Sequence, residues 1–168
     1  MIYVIISIQT ICILTMADTS LNESRLGLLI WQTSNVWQSR LRKRLKKFKI
    51  SLNEYLILET ILKLQKYNSN ISQIEITKNS YINTAVVSSK ITFLENKKLI
   101  KRLSSYNNRS NKLALTQNGL LLIKIIITEI EYEEKLFFEK LNQETLNFTN
   151  SLKLLLGKKI RVKASYNE

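Results

Sequence analysis

Between positions 94 and 119 the chain reads LENKKLIKRLSSYNNRSNKLALTQNG, a stretch whose side chains suit anion binding. Arg109 stands near the middle of a tip rich in Asn and Ser, residue types that accept tight turns, with Asn107 and Lys112 on either side. Just upstream, Asn83, Thr84, Ser88, Ser89 and Lys90 would present hydrogen-bonding groups along one side of a helix. Lys98 and Lys101 lie between these two sets and are placed to meet phosphates. Such side chains hold a polyanion; they do not break bonds.

Composition narrows the chemistry further. The 168 residues contain no His and one Cys, Cys12, so an internal disulfide, a Cys/His zinc site and His-based acid–base catalysis are all excluded. The three glycines, Gly27, Gly119 and Gly157, are too scattered to form a phosphate-cradling loop. No nucleophile–base pair or paired carboxylates appear at useful spacing, so the expectation is a non-enzyme that needs no cofactor and no metal. The net charge of +13 suggests nucleic acid or an acidic membrane surface as partner. Eleven basic residues fall between positions 61 and 128 against two acids, Glu75 and Glu95, whereas positions 129–144 hold six acids and two lysines. The positive field is therefore concentrated around the polar tip. A minor groove narrowed by its sequence is the kind of site that attracts an arginine such as Arg109.

The elements that must position these residues read mostly as helix. Ile30, Trp37, Leu41, Leu45 and Phe48 fall at helical spacing, which predicts a first helix over 21–48. Ser51 with Glu54 forms a capping box that opens a second helix reaching position 64, and Ser72 with Glu75 opens a short third one ending near Asn79. Asn83 is the expected N-cap of the next helix, where Val87, Ile91 and Leu94 make a narrow buried stripe. A tight turn at Asn79 and Ser80 between these two helices matches a helix-turn-helix. Strands at 99–103 and 112–115 pair as a hairpin around 104–111. Thr116 caps a long helix over 117–141, apolar nearly all round at first, which a subunit interface explains. Asn142 is expected to cap a last helix through Leu156, ended by Gly157.

Two other features need a reading. Positions 2–14 are mostly apolar but too short to span a bilayer comfortably and lack the basic flank of a secretory signal. Met16 opens a polar segment soon after, so a start at Met16, an anchored form and a docked N-terminal element are the alternatives. The run Arg40, Arg42, Lys43, Arg44, Lys46, Lys47 and Lys49 reads as a solvated helix end whose charge suits the helix dipole. Contact with flanking phosphates is its second reading.

In these terms the sequence resembles the MarR family of dimeric winged helix-turn-helix transcription regulators. LENKKLIKR at 94–102 resembles the family's L-E-x-x-G-L-I-x-R, and LTQNG at 115–119 resembles its L-T-x-x-G. The interval between them has the length of the family's wing, D-x-R-D-x-R, and Val87-Ser88 sits where the family usually carries Val-Ser. Two departures stand out. Lys98 replaces the Gly that ends the recognition helix, so a non-Gly residue must take that turn. Of the charged wing set only Arg109 is kept, with Ser104, Tyr106 and Asn107 at the other places.

The resemblance implies a mainly α fold with a small β-hairpin wing and long N- and C-terminal dimerisation helices. Its parts would be an N-terminal extension (1–15), a first dimerisation helix (16–50), a DNA-binding lobe (51–116), C-terminal dimerisation helices (117–157) and a basic tail (158–168). It implies a cytoplasmic homodimer that binds double-stranded DNA at a pseudo-palindromic operator, with no membrane partner. A small-molecule effector pocket near Trp31 and Trp37 is a further implication; core packing is the plainer role for those rings. The rival reading is a winged helix kept as a protein-interaction or structural module, which would have no need of so basic a lobe.

Overall fold

The computed structural model describes residues 25–67, 71–103 and 112–160. It divides into two compact units, Met1–Arg42 and Lys43–Glu168. The first helix, α1 (Leu26–Leu45), runs through the boundary. Within the first unit Gln38 donates to Ser34 Oγ at 3.0 Å and Arg42 donates to Gln38 Oε1 at 2.8 Å, a ladder of i,i+4 bonds along one face. Leu26, Ile30, Trp31 and Val36 are exposed.

The second unit is built on caps that the sequence encodes. A single turn of 3-10 helix, Lys46–Phe48, ends at Lys49, whose left-handed backbone (φ 54°) reverses the chain. Ser51 and Glu54 then form the reciprocal box that starts α2 (Leu52–Gln65). Ser72 and Glu75 do the same for α3 (Gln73–Ser80), and Asn83 caps α4 (Thr84–Asn96) by accepting from the Ala85 N–H at 2.9 Å. Strands β1 (Ile100–Leu103) and β2 (Lys112–Leu115) pair antiparallel with Ile100 opposite Leu115. Thr116 caps α5 (Gln117–Phe138), and after a 3-10 stretch, Glu139–Glu144, the fold closes with α6 (Thr145–Leu155).

Helix α2 is the centre of this unit and packs against α3, α4, α5 and β2. Its Ile57, Leu58 and Ile61 are fully buried with Ile76 of α3, Val87, Ile91 and Leu94 of α4, and Ile123 and Ile126 of α5. Each such side chain contributes roughly 1.5–3 kcal/mol of burial, so the stripe foreseen on α4, with the apolar faces of α2 and α5, holds the lobe together. Ile71 adds a one-residue third strand, its carbonyl accepting the Leu113 N–H at 2.8 Å. That bridge places β2 between β1 and Ile71 and seals a buried edge.

The expected elements are present, with two corrections. The reversal of the helix-turn-helix lies at positions 81–83 and not at Asn79-Ser80. Asn79 Nδ2 donates to the Glu75 carbonyl at 2.8 Å, so the helix continues to Ser80 and Tyr81 takes the left-handed turn (φ 57°). Asn142 does not cap the last helix. Its backbone (φ 44°, ψ −118°) breaks the chain between the two 3-10 turns, and its carbonyl accepts from the Thr145 hydroxyl at 2.8 Å. Gly157 does end α6. With φ 65° it lets Lys158 N–H reach the Lys153 carbonyl and its own N–H reach that of Leu154, a complete Schellman motif. Among the described residues no helix is long and apolar enough to cross a membrane, and no cluster of His, Cys, Asp and Glu could hold a metal ion.

Candidate nucleic-acid interface

Helices α3 and α4 with the three-residue turn between them form a helix-turn-helix, and α4 is its second helix. Val87, Ile91 and Leu94 face the core, which leaves the opposite stripe in solvent. That stripe consists of Thr84, Ala85, Ser88, Ser89, Thr92, Phe93 and Asn96, all exposed. Thr84, Ser88 and Ser89 therefore lie together on one open face, with Asn83 at its N-terminal end. The Asn83 side-chain oxygen is occupied by the Ala85 N–H.

Lys90 is placed differently. Its ammonium lies 2.9 Å from Glu54 Oε1, and Lys97, the residue capping the C-terminus of α4, reaches Glu54 Oε2 at 3.4 Å and the Lys49 carbonyl at 2.6 Å. Both ammonium groups also lie over the Phe93 ring, at 5.3 and 4.4 Å from its centre. Glu54 is 3% exposed. Burial pushes its carboxyl up, but hydrogen bonds from Lys90 and Ser51 outweigh this and hold it below its ordinary value. One carboxylate thus joins the start of α2 to two lysines of the recognition segment.

The hairpin is fixed to the end of α4 by the two sequence motifs. Lys98 adopts φ 57°, Leu99 N–H reaches the Leu94 carbonyl at 3.0 Å, and Lys98 N–H reaches that of Glu95 at 2.8 Å. This is a Schellman ending made with lysine where glycine costs least. The Thr116 hydroxyl donates toward the Lys98 carbonyl at 2.7 Å and receives the Gly119 N–H at 3.0 Å. Arg102 forks onto Glu95 with bonds of 2.7 and 3.0 Å, tying β1 back to α4. Lys101 is exposed on β1, and Lys112 is half-buried opposite Leu103. Replacing Lys98 by Gly relieves the left-handed turn, offset in part by a freer unfolded chain. The expected gain is about 0.5–1 kcal/mol, read as a rise of ~1–4 °C in thermal midpoint.

The remaining expected site residues are scattered. Asn107 and Arg109 lie outside the described residues, as do Cys12 and Met16. Trp31 is exposed and Trp37 half-buried within the first unit. The second unit has a groove of about 440 Å³ between the end of α5 and α6, walled by Phe138, Leu141, Phe148 and Leu152 with Lys153 and Lys158 on it. The basic run after Arg42 is partly spent on α5. Arg44 pairs with the buried Glu133 at 2.6 Å and Lys47 with Glu129 at 2.7 Å. The acidic stretch that stood out in the sequence is thus, in part, the counterpart of the basic one. Sequence reasoning missed Glu54 as a hub, because its capping box accounted for it fully.

No protein-family model matches the chain, and no curated protein matches it. Solved structures do. The Staphylococcus aureus MepR–DNA complex superposes with a TM-score of 0.71 at 22% identity, over 81% of this chain and 97% of that one. Bordetella bronchiseptica BpsR, whose DNA binding is regulated by 6-hydroxynicotinic acid, gives 0.72 at 18% identity, over 79% of this chain and 99% of that one. A MarR-family regulator from Rhodococcus sp. RHA1 gives 0.73 at 13% identity, over 85% of this chain and all of the other. The helix-turn-helix, the hairpin fixed behind it and the two flanking long helices are therefore those of the MarR-type winged-helix fold.

Proposed function

We propose that this protein is a DNA-binding transcription regulator that acts as a homodimer on a pseudo-palindromic operator and represses by covering a promoter. The observation that carries the reading is the open polar stripe of α4, held beside a hairpin in a segment, 61–128, that has eleven basic residues and two acids. In this reading α4 enters the major groove, Arg109 reaches the adjacent minor groove, and Lys98, Lys101 and Lys112 meet phosphates. Two-fold symmetry then sets the half-sites about one helical turn apart, ~34–36 Å. The dimer is supported by exposed apolar side chains on the last two helices: Leu121, Ile125 and Tyr132 of α5, and Leu146, Leu154 and Leu155 of α6. A small-molecule effector would act by shifting the population between binding and non-binding dimers, as the regulation of BpsR by 6-hydroxynicotinic acid suggests.

Selection of bound sequences from random DNA, followed by titration at several salt concentrations, tests the proposal. Neutralising roughly 7–10 phosphates gives a log–log slope of about −6 to −9. A flat salt response, or no enriched sequence, would remove it.

A further inference from the structure

The chemistry of the α4 stripe says which bases such a protein can read. Lys90 is the sole cationic residue within α4, and it is paired with Glu54, as is Lys97 just beyond. Arg102, the next candidate, forks onto Glu95. The major-groove edge of guanine offers two acceptors, O6 and N7, and is read best by an arginine or lysine that donates to both. The exposed stripe holds no such group. Adenine is read best by Asn or Gln, but the Asn83 oxygen is already committed to the Ala85 N–H. Asn96 lies twelve residues along the helix from Thr84, about 18 Å away, whereas recognition helices of this kind read bases with their first turns.

What those first turns offer is the Thr84 methyl, the Ala85 methyl and the hydroxyls of Ser88 and Ser89. An apolar methyl in the major groove finds one base-specific partner, the C5-methyl of thymine. Resting on the DNA-binding reading above, we infer that each operator half-site is recognised through thymine methyl groups by Thr84 and Ala85, with Ser88 and Ser89 bonding adenine or thymine edges nearby, and with no guanine edge read by α4. Glu54 enforces this choice by withdrawing Lys90 from the groove.

The test modifies the DNA and leaves the protein intact. Full-length protein is titrated by fluorescence anisotropy onto a duplex recovered by selection. Variants of that duplex carry uracil for thymine at single positions, or 7-deazaguanine for every guanine of the half-site. Uracil lacks only the methyl group, and 7-deazaguanine lacks only the N7 acceptor. Loss of one buried methyl weakens binding about fourfold, and that loss is expected at two or more thymines per half-site. The 7-deazaguanine duplex should bind within about twofold of the parent, since no contact to N7 is lost. Thr84→Ser keeps the hydroxyl, removes the methyl and should make one of those thymines insensitive to uracil. Weakened binding on 7-deazaguanine DNA, or no position sensitive to uracil, would overturn the inference while leaving DNA binding in place. If selection yields no bound sequence, the DNA-binding reading itself fails, and this inference with it.

Discussion

Gly119→Ala is expected to lower the thermal midpoint by about 6–12 °C, a loss of roughly 3 kcal/mol or more. The cause is steric. A Cβ built on Gly119 would stand 1.9 Å from the Leu99 carbonyl oxygen and 2.9 Å from its carbon. No side chain can swing aside to relieve that contact, because the obstacle is backbone. Nor is the carbonyl free to move, since it accepts from the Thr116 N–H at 3.0 Å and lies 3.2 Å from the Thr116 hydroxyl. The first turn of α5 must therefore lift off the end of α4, taking the junction of the hairpin with it. Circular dichroism melts of the two proteins decide the matter. A variant within 1 °C of the parent would show that α5 and Leu99 do not approach in this way.

Removing the Glu54 carboxylate should be the second large effect. Glu54→Ala is expected to cost about 2–4 kcal/mol, from the lost cap and two lysines left without their buried partner. The lower part of that range is favoured because Lys90 and Lys97 are about 30% exposed and can turn to water. The sign of the pH effect follows from the depressed pKa. The carboxylate contributes its full stability above its ordinary value near 4.5 and loses it as pH falls through the lower folded value. Denaturant titrations from pH 7 down to ~3 should therefore show a shallower acid limb for Glu54→Gln than for the parent. Equal slopes would mean that the buried carboxylate is not linked to folding.

Much of this architecture was legible because its signals are local. A Ser followed three residues later by Glu is a helix start whatever surrounds it, and both boxes form at Ser51 and Ser72. The stripe of Val87, Ile91 and Leu94 fixed which side of α4 would stay in water, and so exposed Thr84, Ser88 and Ser89 together. Lys98 had to take a left-handed turn once it stood in glycine's place, and it does. What stayed hidden depends on contacts between distant segments. The Glu54–Lys90 pair joins residues 36 apart and Arg44–Glu133 joins residues 89 apart, and no local pattern announces either. The third strand is a single residue, Ile71, too short to leave an alternation. The turn was misplaced because Asn79 and Ser80 are good turn formers, yet the Asn79 side chain bonds back along the helix and prolongs it.

Helix α6 has eleven residues and buries none of them fully. Helices of that length are marginal in water without packing to support them. Its amide protons should consequently exchange with solvent at a rate set by protein concentration, fast when dilute and slow when concentrated, if a second copy covers its leucines. Hydrogen exchange along α6 then becomes a direct gauge of association strength, measured without any DNA present.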